Sequence, residues 1–210
     1  MSLIINLIKS SAYPLKACCP LWYSSRRQSD YETINETSQI SICCPSQEQL
    51  TLIRKTWSGE FSDLSDLSTE IYSTAFAMAP SMVNLFPMLE SEDIPLSENS
   101  SFLRMSLKLV QTLDYVIRSG EKDLEETVPA YLQNLGAYHV RFAHQGFKNE
   151  YWSVMEQSIV KALHKRTESV PNLTTVEKIE ALRAWSVFIE YIVKQTQLGY
   201  RTEIAKMSHS

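Results

Sequence analysis

Leu132-Gln-Asn-Leu135-Gly-Ala-Tyr-His139 is an apolar stripe that ends in an imidazole. Leu132, Leu135 and His139 share one face at helical spacing, so His139 stands where a further leucine is expected. The chain has four histidines, and its cysteines all lie before residue 45. His139 is therefore the leading candidate for a metal ligand in the folded part of the chain. His144 lies off the Leu132/Leu135 stripe, His164 sits near a helix end among basic residues, and His209 is in the tail.

Around this stretch the chain reads as one helix after another. Ser46-Gln-Glu-Gln49 is a capping box opening a helix with Leu50, Ile53 and Trp57 on one face. A second helix, near Leu67 to Met78, aligns Ile71, Ala75 and Met78 and ends at Pro80, which is tolerated in the first turn of a short helix up to Phe86. Ser97 or Ser100 caps the next, Phe102 to Arg118, with Met105, Leu109, Leu113 and Val116 as its stripe and Gly120 as its stop. Asn149 is expected to cap a helix through Trp152 and Ile159. Thr174-Thr-Val-Glu177 is a second capping box, and the last helix carries Val176, Ile179, Leu182, Ile189 and Val193 before stopping at Gly199. No period-2 alternation, internal repeat or phosphate-binding glycine loop interrupts this pattern. The reading is all-α.

The bulk properties agree. The chain has 210 residues, room for one domain and a tail, with 44% hydrophobic and 21% charged residues. A net charge of -4 leaves no basic footprint for nucleic acid. No apolar run reaches the roughly 18 residues of a membrane-spanning helix.

Residues 1–45 are of another kind. They hold Pro14, Pro20 and Pro45, a Ser/Thr/Asn-rich stretch, and both vicinal cysteine pairs, Cys18-Cys19 and Cys43-Cys44. Neighbouring cysteines make poor structural disulfides, and neither pair has the spacing of a zinc site. The segment reads as a flexible extension of a cytoplasmic protein. Acylation of Cys18 and Cys19 beside Lys16, Arg26 and Arg27 would tie it to a membrane surface, and an acid-poor transit peptide is the other alternative.

Several markers stand together in order and spacing: Trp57, Tyr72, Pro80, Phe86 within Asn-Leu-Phe-Pro-Met, the run Met105 to Leu113, Leu-Gly-Ala-Tyr-His139-Val-Arg-Phe, Phe147-Lys-Asn-Glu-Tyr-Trp152, and Ala184-Trp185. Jointly they resemble the globins, and among them the divergent globins of nematodes. The resemblance runs from Ser46 to Tyr200 and puts the domain at residues 46–201, leaving 202–210 as a C-terminal tail. It implies a three-over-three helical sandwich with haem b in a pocket and His139 as the axial iron ligand. Phe86 corresponds to the phenylalanine that packs on the porphyrin, while Leu109, Leu113, Phe147 and Val154 line the pocket. Lys108, Arg104 or His144 reach the propionates at its rim.

On the opposite, distal face the resemblance puts Met105, where globins commonly carry His or Gln; a register slip of one would bring Ser106 there instead. A thioether donates no hydrogen bond. Either Met105 is apolar filling and Tyr72 is the one distal donor, or the sulfur itself binds iron, an arrangement suited to electron transfer. The alternative for Tyr72 is a buried tyrosine bonded to a backbone carbonyl. The Met105–His139 separation, a little longer than is common, suggests an extended connection around Ser119 to Thr127. The implied function is reversible binding of a diatomic gas, dioxygen first, in sensing or redox signalling with an unidentified redox partner, rather than enzymatic turnover. The alternatives are nitric-oxide dioxygenase or peroxidase-like chemistry, and a globin-shaped interaction module without haem.

Overall fold

The computed structural model describes residues 42–89 and 94–208; Cys18, Cys19, most of the N-terminal extension and His209 lie outside the described residues. Residues 44–210 form one compact unit. Among the described residues there are six α-helices, three 3₁₀ segments and no strand. None of these helices is long and apolar enough to cross a membrane.

Helix α1, Gln47–Thr56, opens on the expected capping box: Ser46 Oγ accepts from the Gln49 amide at 3.3 Å, and Gln49 Oε1 accepts from the Ser46 amide at 2.8 Å. It buries Leu50 and Ile53. Helix α2, Phe61–Met78, begins earlier than the expected Leu67. Its first turns carry Phe61 and Leu64 at helical spacing ahead of Leu67 and Ile71, a stripe that the expected start at Leu67 left out. Pro80 opens a 3₁₀ segment, Pro80–Leu85, as its fixed φ allows.

Helix α3, Ser100–Arg118, is capped by neither Ser97 nor Ser100. The cap is Asn99, whose Oδ1 accepts from the Phe102 amide at 2.9 Å while Nδ2 donates to the Met88 carbonyl at 3.1 Å. A carboxamide serves both contacts, which a hydroxyl would satisfy less well. The buried face of α3 runs through Phe102, Ser106, Val110, Leu113 and Ile117, and Met105 and Leu109 are only half-buried.

The expected extended connection does not exist. Ser119 ends α3, Gly120 precedes α4, and α4 runs from Glu121 to His139. The separation of Met105 from His139 is taken up by a long helix. Pro129 lies inside α4, where a proline removes one intrahelical bond. The helix continues because Leu124, Val128, Leu132 and Gly136 repeat every four residues as its buried face.

Asn149 stands before α5, Glu150–Ser169, but makes no side-chain cap; its Oδ1 accepts from Gln197 Nε2 at 3.2 Å. The Thr174/Glu177 capping box forms as expected. The last helix, α6, spans Thr175–Ser208, so the stop expected at Gly199 does not hold and the helix continues through residues 202–208. Val176, the first of the apolar residues read on this helix, is 68% exposed; the buried face is Ala181, Ala184, Trp185, Phe188, Ile189 and Ile192.

The packing explains Gly199. An added Cβ there would overlap the Gln133 backbone, and one at Gly136 would overlap the Thr196 carbonyl. A glycine from each helix thus lets α4 and α6 approach backbone to backbone. Helix α6 also packs on α1 and α5, while α2 packs on α3 and α5. Consecutive helices α3 and α4 do not form a packed pair.

Candidate functional site

His139 is the last residue of α4, three residues beyond the glycine crossing. Its Nδ1 lies 2.8 Å from the Leu135 carbonyl oxygen. A carbonyl only accepts, so this contact assigns the ring proton to Nδ1 and leaves the lone pair on Nε2. Burial lowers the imidazole pKa, opposed by the bond to Leu135, and favours the neutral ring. Nε2 makes no hydrogen bond among the described residues.

Aromatic rings enclose this imidazole: Trp152 at 5.3 Å, Phe142 at 5.9 Å and Phe147 at 6.2 Å between centroids. A turn supplies Phe147. Gly146 adopts φ of 91°, in the left-handed region that a side chain disfavours, and the Phe147 amide then donates to the Phe142 carbonyl at 3.1 Å. The Trp152 indole nitrogen is buried without a hydrogen-bond partner among the described residues.

The second group of rings comes from α2, α3 and the 3₁₀ turn. Tyr72 contacts Phe86 at 5.5 Å, Phe102 at 5.6 Å and Phe76 at 5.9 Å. Its ring is therefore fixed on three sides, yet its hydroxyl has no hydrogen-bond partner among the described residues, so the expected alternative of a carbonyl-bonded tyrosine is not what the chain adopts. Burial pushes the phenol up to about 12, which keeps it a protonated donor. Phe86, Phe147 and Val154 all pack on one cluster around Ala75, Met82 and Tyr151, which ties the two groups of rings together.

Helix α3 supplies a register marker. Ser106 is fully buried, and its Oγ lies 3.0 Å from Ser68 Oγ at the crossing with α2. Ser106 is thus committed to the α2 contact, while Met105 and Leu109 lie beside this buried face, half-exposed. Helices α3 and α4 touch through Tyr115 and Tyr131, 4.7 Å apart, and through Thr112 and Tyr131. About two turns, roughly 11 Å, further from the connection lie Met105 on α3 and His139 on α4. Lys108, Arg104 and His144 are exposed.

The structure thus joins His139 to Phe147 and Tyr72 to Phe86, and it packs Phe86, Phe147 and Val154 on one shared cluster. It joins Met105, Leu109 and Lys108 to none of these directly. Sequence reasoning missed Phe76, Phe102 and Trp152 as site residues. Phe76 was legible one helical turn after Tyr72. Trp152 was visible as a helix marker, but only the chain turn at Gly146 brings it to the imidazole.

The donor set has a definite chemistry. Among the described residues no three His, Cys, Asp or Glu side chains gather as a metal cluster. A lone neutral imidazole amid apolar rings suits a metal that brings its other ligands with it in a flat, apolar group. The half-buried Phe86, Leu109, Phe147 and Val154 offer apolar surface to such a group. The residues fit haem.

Comparison with known proteins agrees with the fold. A family model described as Globin matches residues 69–195. The "Anaerobic nitrite reductase HBII" of Casuarina glauca is 25% identical over 157 residues, which cover 73% of this chain and 91% of that protein. A solved structure, that of a "hexacoordinated heme protein from anhydrobiotic tardigrade at pH 4", aligns with a TM-score of 0.59 at 20% identity, over 74% of this chain and 95% of that one.

Proposed function

The chain belongs to the globin family, and on that premise we propose that it holds haem b through His139 and reversibly binds a diatomic gas, dioxygen first, in a sensing or redox-signalling role. The observation that carries this reading is the imidazole itself: Nδ1 fixed by the Leu135 carbonyl, Nε2 without a hydrogen-bond partner among the described residues, and aromatic rings around it. A fixed second nitrogen orients an axial ligand and raises its basicity.

When bound, haem supplies an iron atom that takes up and releases the gas. The protein does the rest. Phe86, Phe147, Val154 and Leu109 give apolar cover and exclude water. Lys108, Arg104 and His144 are exposed and available to pair with carboxylates of the group. Tyr72 holds a proton on its hydroxyl for the gas ligand. With Ser106 bonded to Ser68, Met105 is the α3 residue we assign to the distal side.

Met105 also carries the second reading, in which its sulfur is the sixth ligand and the protein works as an electron carrier. Optical spectra of the haem-loaded, reduced protein separate the two. We expect an open sixth position, reversible spectral change with dioxygen, and the same behaviour in Met105→Leu. A six-coordinate reduced spectrum that Met105→Leu abolishes, with no response to dioxygen before the substitution, would establish the second reading in place of the first.

A further inference from the structure

A groove of about 440 Å³ runs between the end of α1, the first half of α2 and the end of α5. That size falls within the ~300–1,000 Å³ of small-molecule clefts. Its lining shares no residue with the rings around His139 and Tyr72. Trp57, Leu64, Leu67 and Leu163 give it an apolar side. Leu67 and Leu163 are buried, and Trp57 is held by donating its indole N–H to Asp114 Oδ1 at 2.8 Å.

Four charged side chains line the same groove: Asp63, Glu70, Lys165 and Arg166. Glu70 and Lys165 pair with each other at 2.6 Å, and Asp63 accepts from the Ser58 hydroxyl. Arg166 is left over. Its Nε is buried and has no hydrogen-bond partner among the described residues. Arg166 lines the groove, and buried charged donors are ordinarily paired, so the unmet Nε of this arginine calls for an acceptor from outside. The guanidinium fork matches a carboxylate, which can accept from Nε and a terminal nitrogen together.

We propose that this groove binds a small monocarboxylate with an apolar chain, its carboxylate on Arg166 and its chain against Trp57 and the leucines. The apolar lining excludes a bare inorganic anion as the best occupant, because such an ion would leave that surface wet.

The test is titration of the haem-loaded protein with octanoate, followed by Trp57 indole N–H shifts in NMR and by fluorescence, with the haem absorption band recorded in parallel. Saturable binding that moves Trp57 and leaves the haem band unchanged is expected. Arg166→Gln should weaken octanoate about 10–100-fold, and octan-1-ol should bind wild type no better than octanoate binds this variant. Arg166→Lys, which keeps the charge and loses the fork, should fall between. No saturable binding, equal affinity in Arg166→Gln, or displacement confined to the haem band would overturn the proposal. If the chain takes up no haem, the same titration on the haem-free protein still decides it, because the groove shares no residue with that site.

Discussion

Gly136→Ala is expected to lower the unfolding free energy by more than about 3 kcal/mol, the upper part of the range for overpacked cores. A methyl at this position would overlap the Thr196 carbonyl and come within 2.8 Å of the Tyr200 amide nitrogen. Both are backbone atoms inside α6, so no side chain can rotate aside. Alanine's helix preference returns only ~1 kcal/mol of this. In a domain of this size the loss corresponds to a melting temperature lower by roughly 6–12 °C. Because Gly136 stands one turn before His139, forcing α4 from α6 also displaces the imidazole, and haem should dissociate faster from this variant. Gly199→Ala meets the Gln133 backbone and should behave alike. Gly120→Ala is the control: its nearest contact is the Asp123 carboxylate at 3.5 Å, and its cost should stay within ~1 kcal/mol. Thermal unfolding of the three variants side by side checks the crossing. Equal losses at Gly120 and Gly136 would mean that α4 and α6 do not approach as described.

Tyr72→Phe should release dioxygen about 10–150-fold faster, the equivalent of the 1.5–3 kcal/mol of a hydrogen bond to a charged or strongly polarised acceptor. The substitution removes one oxygen atom and leaves the ring among Phe76, Phe86 and Phe102, so packing should survive. Since burial pushes the phenol up to about 12, the donor stays protonated across ordinary pH and the effect should not vary with it. Carbon monoxide, which becomes far less polarised than dioxygen, should dissociate at nearly the same rate from both proteins. Stopped-flow displacement gives both rates. An unaltered dioxygen rate in Tyr72→Phe would remove the hydroxyl from the pocket.

These two effects rest on different kinds of information in the chain. The all-α fold was legible because amphipathic spacing and capping boxes are local: Ser46/Gln49 and Thr174/Glu177 form their caps as the sequence predicts. Glycine was where local reading failed. Gly199 has the signature of a helix stop, and only a second helix crossing at Gln133 turns it into a packing residue in mid-helix. Pro129 is carried inside α4 for a similar reason, since tertiary burial of Val128 and Leu132 outweighs a missing backbone bond. Asn99 took the cap from two nearby serines because its carboxamide also reaches the Met88 carbonyl, a contact no local motif encodes.

The candidate site divides along similar lines. The stripe ending in an imidazole marked His139, and the hydrogen bond to Leu135 follows from helix geometry one turn back. Ser106 was indistinguishable from Met105 as a pocket residue until its partner Ser68, on another helix, was known. Trp152 came to the site through the left-handed turn at Gly146.

The central claim is that His139 Nε2 is the protein's bond to haem iron. Titrating haemin into the wild-type chain and into His139→Ala, and recording the reduced carbon-monoxide spectra, tests it most directly. One haem per chain with a histidine-ligated spectrum is predicted for the wild type. His139→Ala should lose that spectrum and regain it when free imidazole is added. Stoichiometric uptake with an unchanged spectrum in His139→Ala would contradict the account.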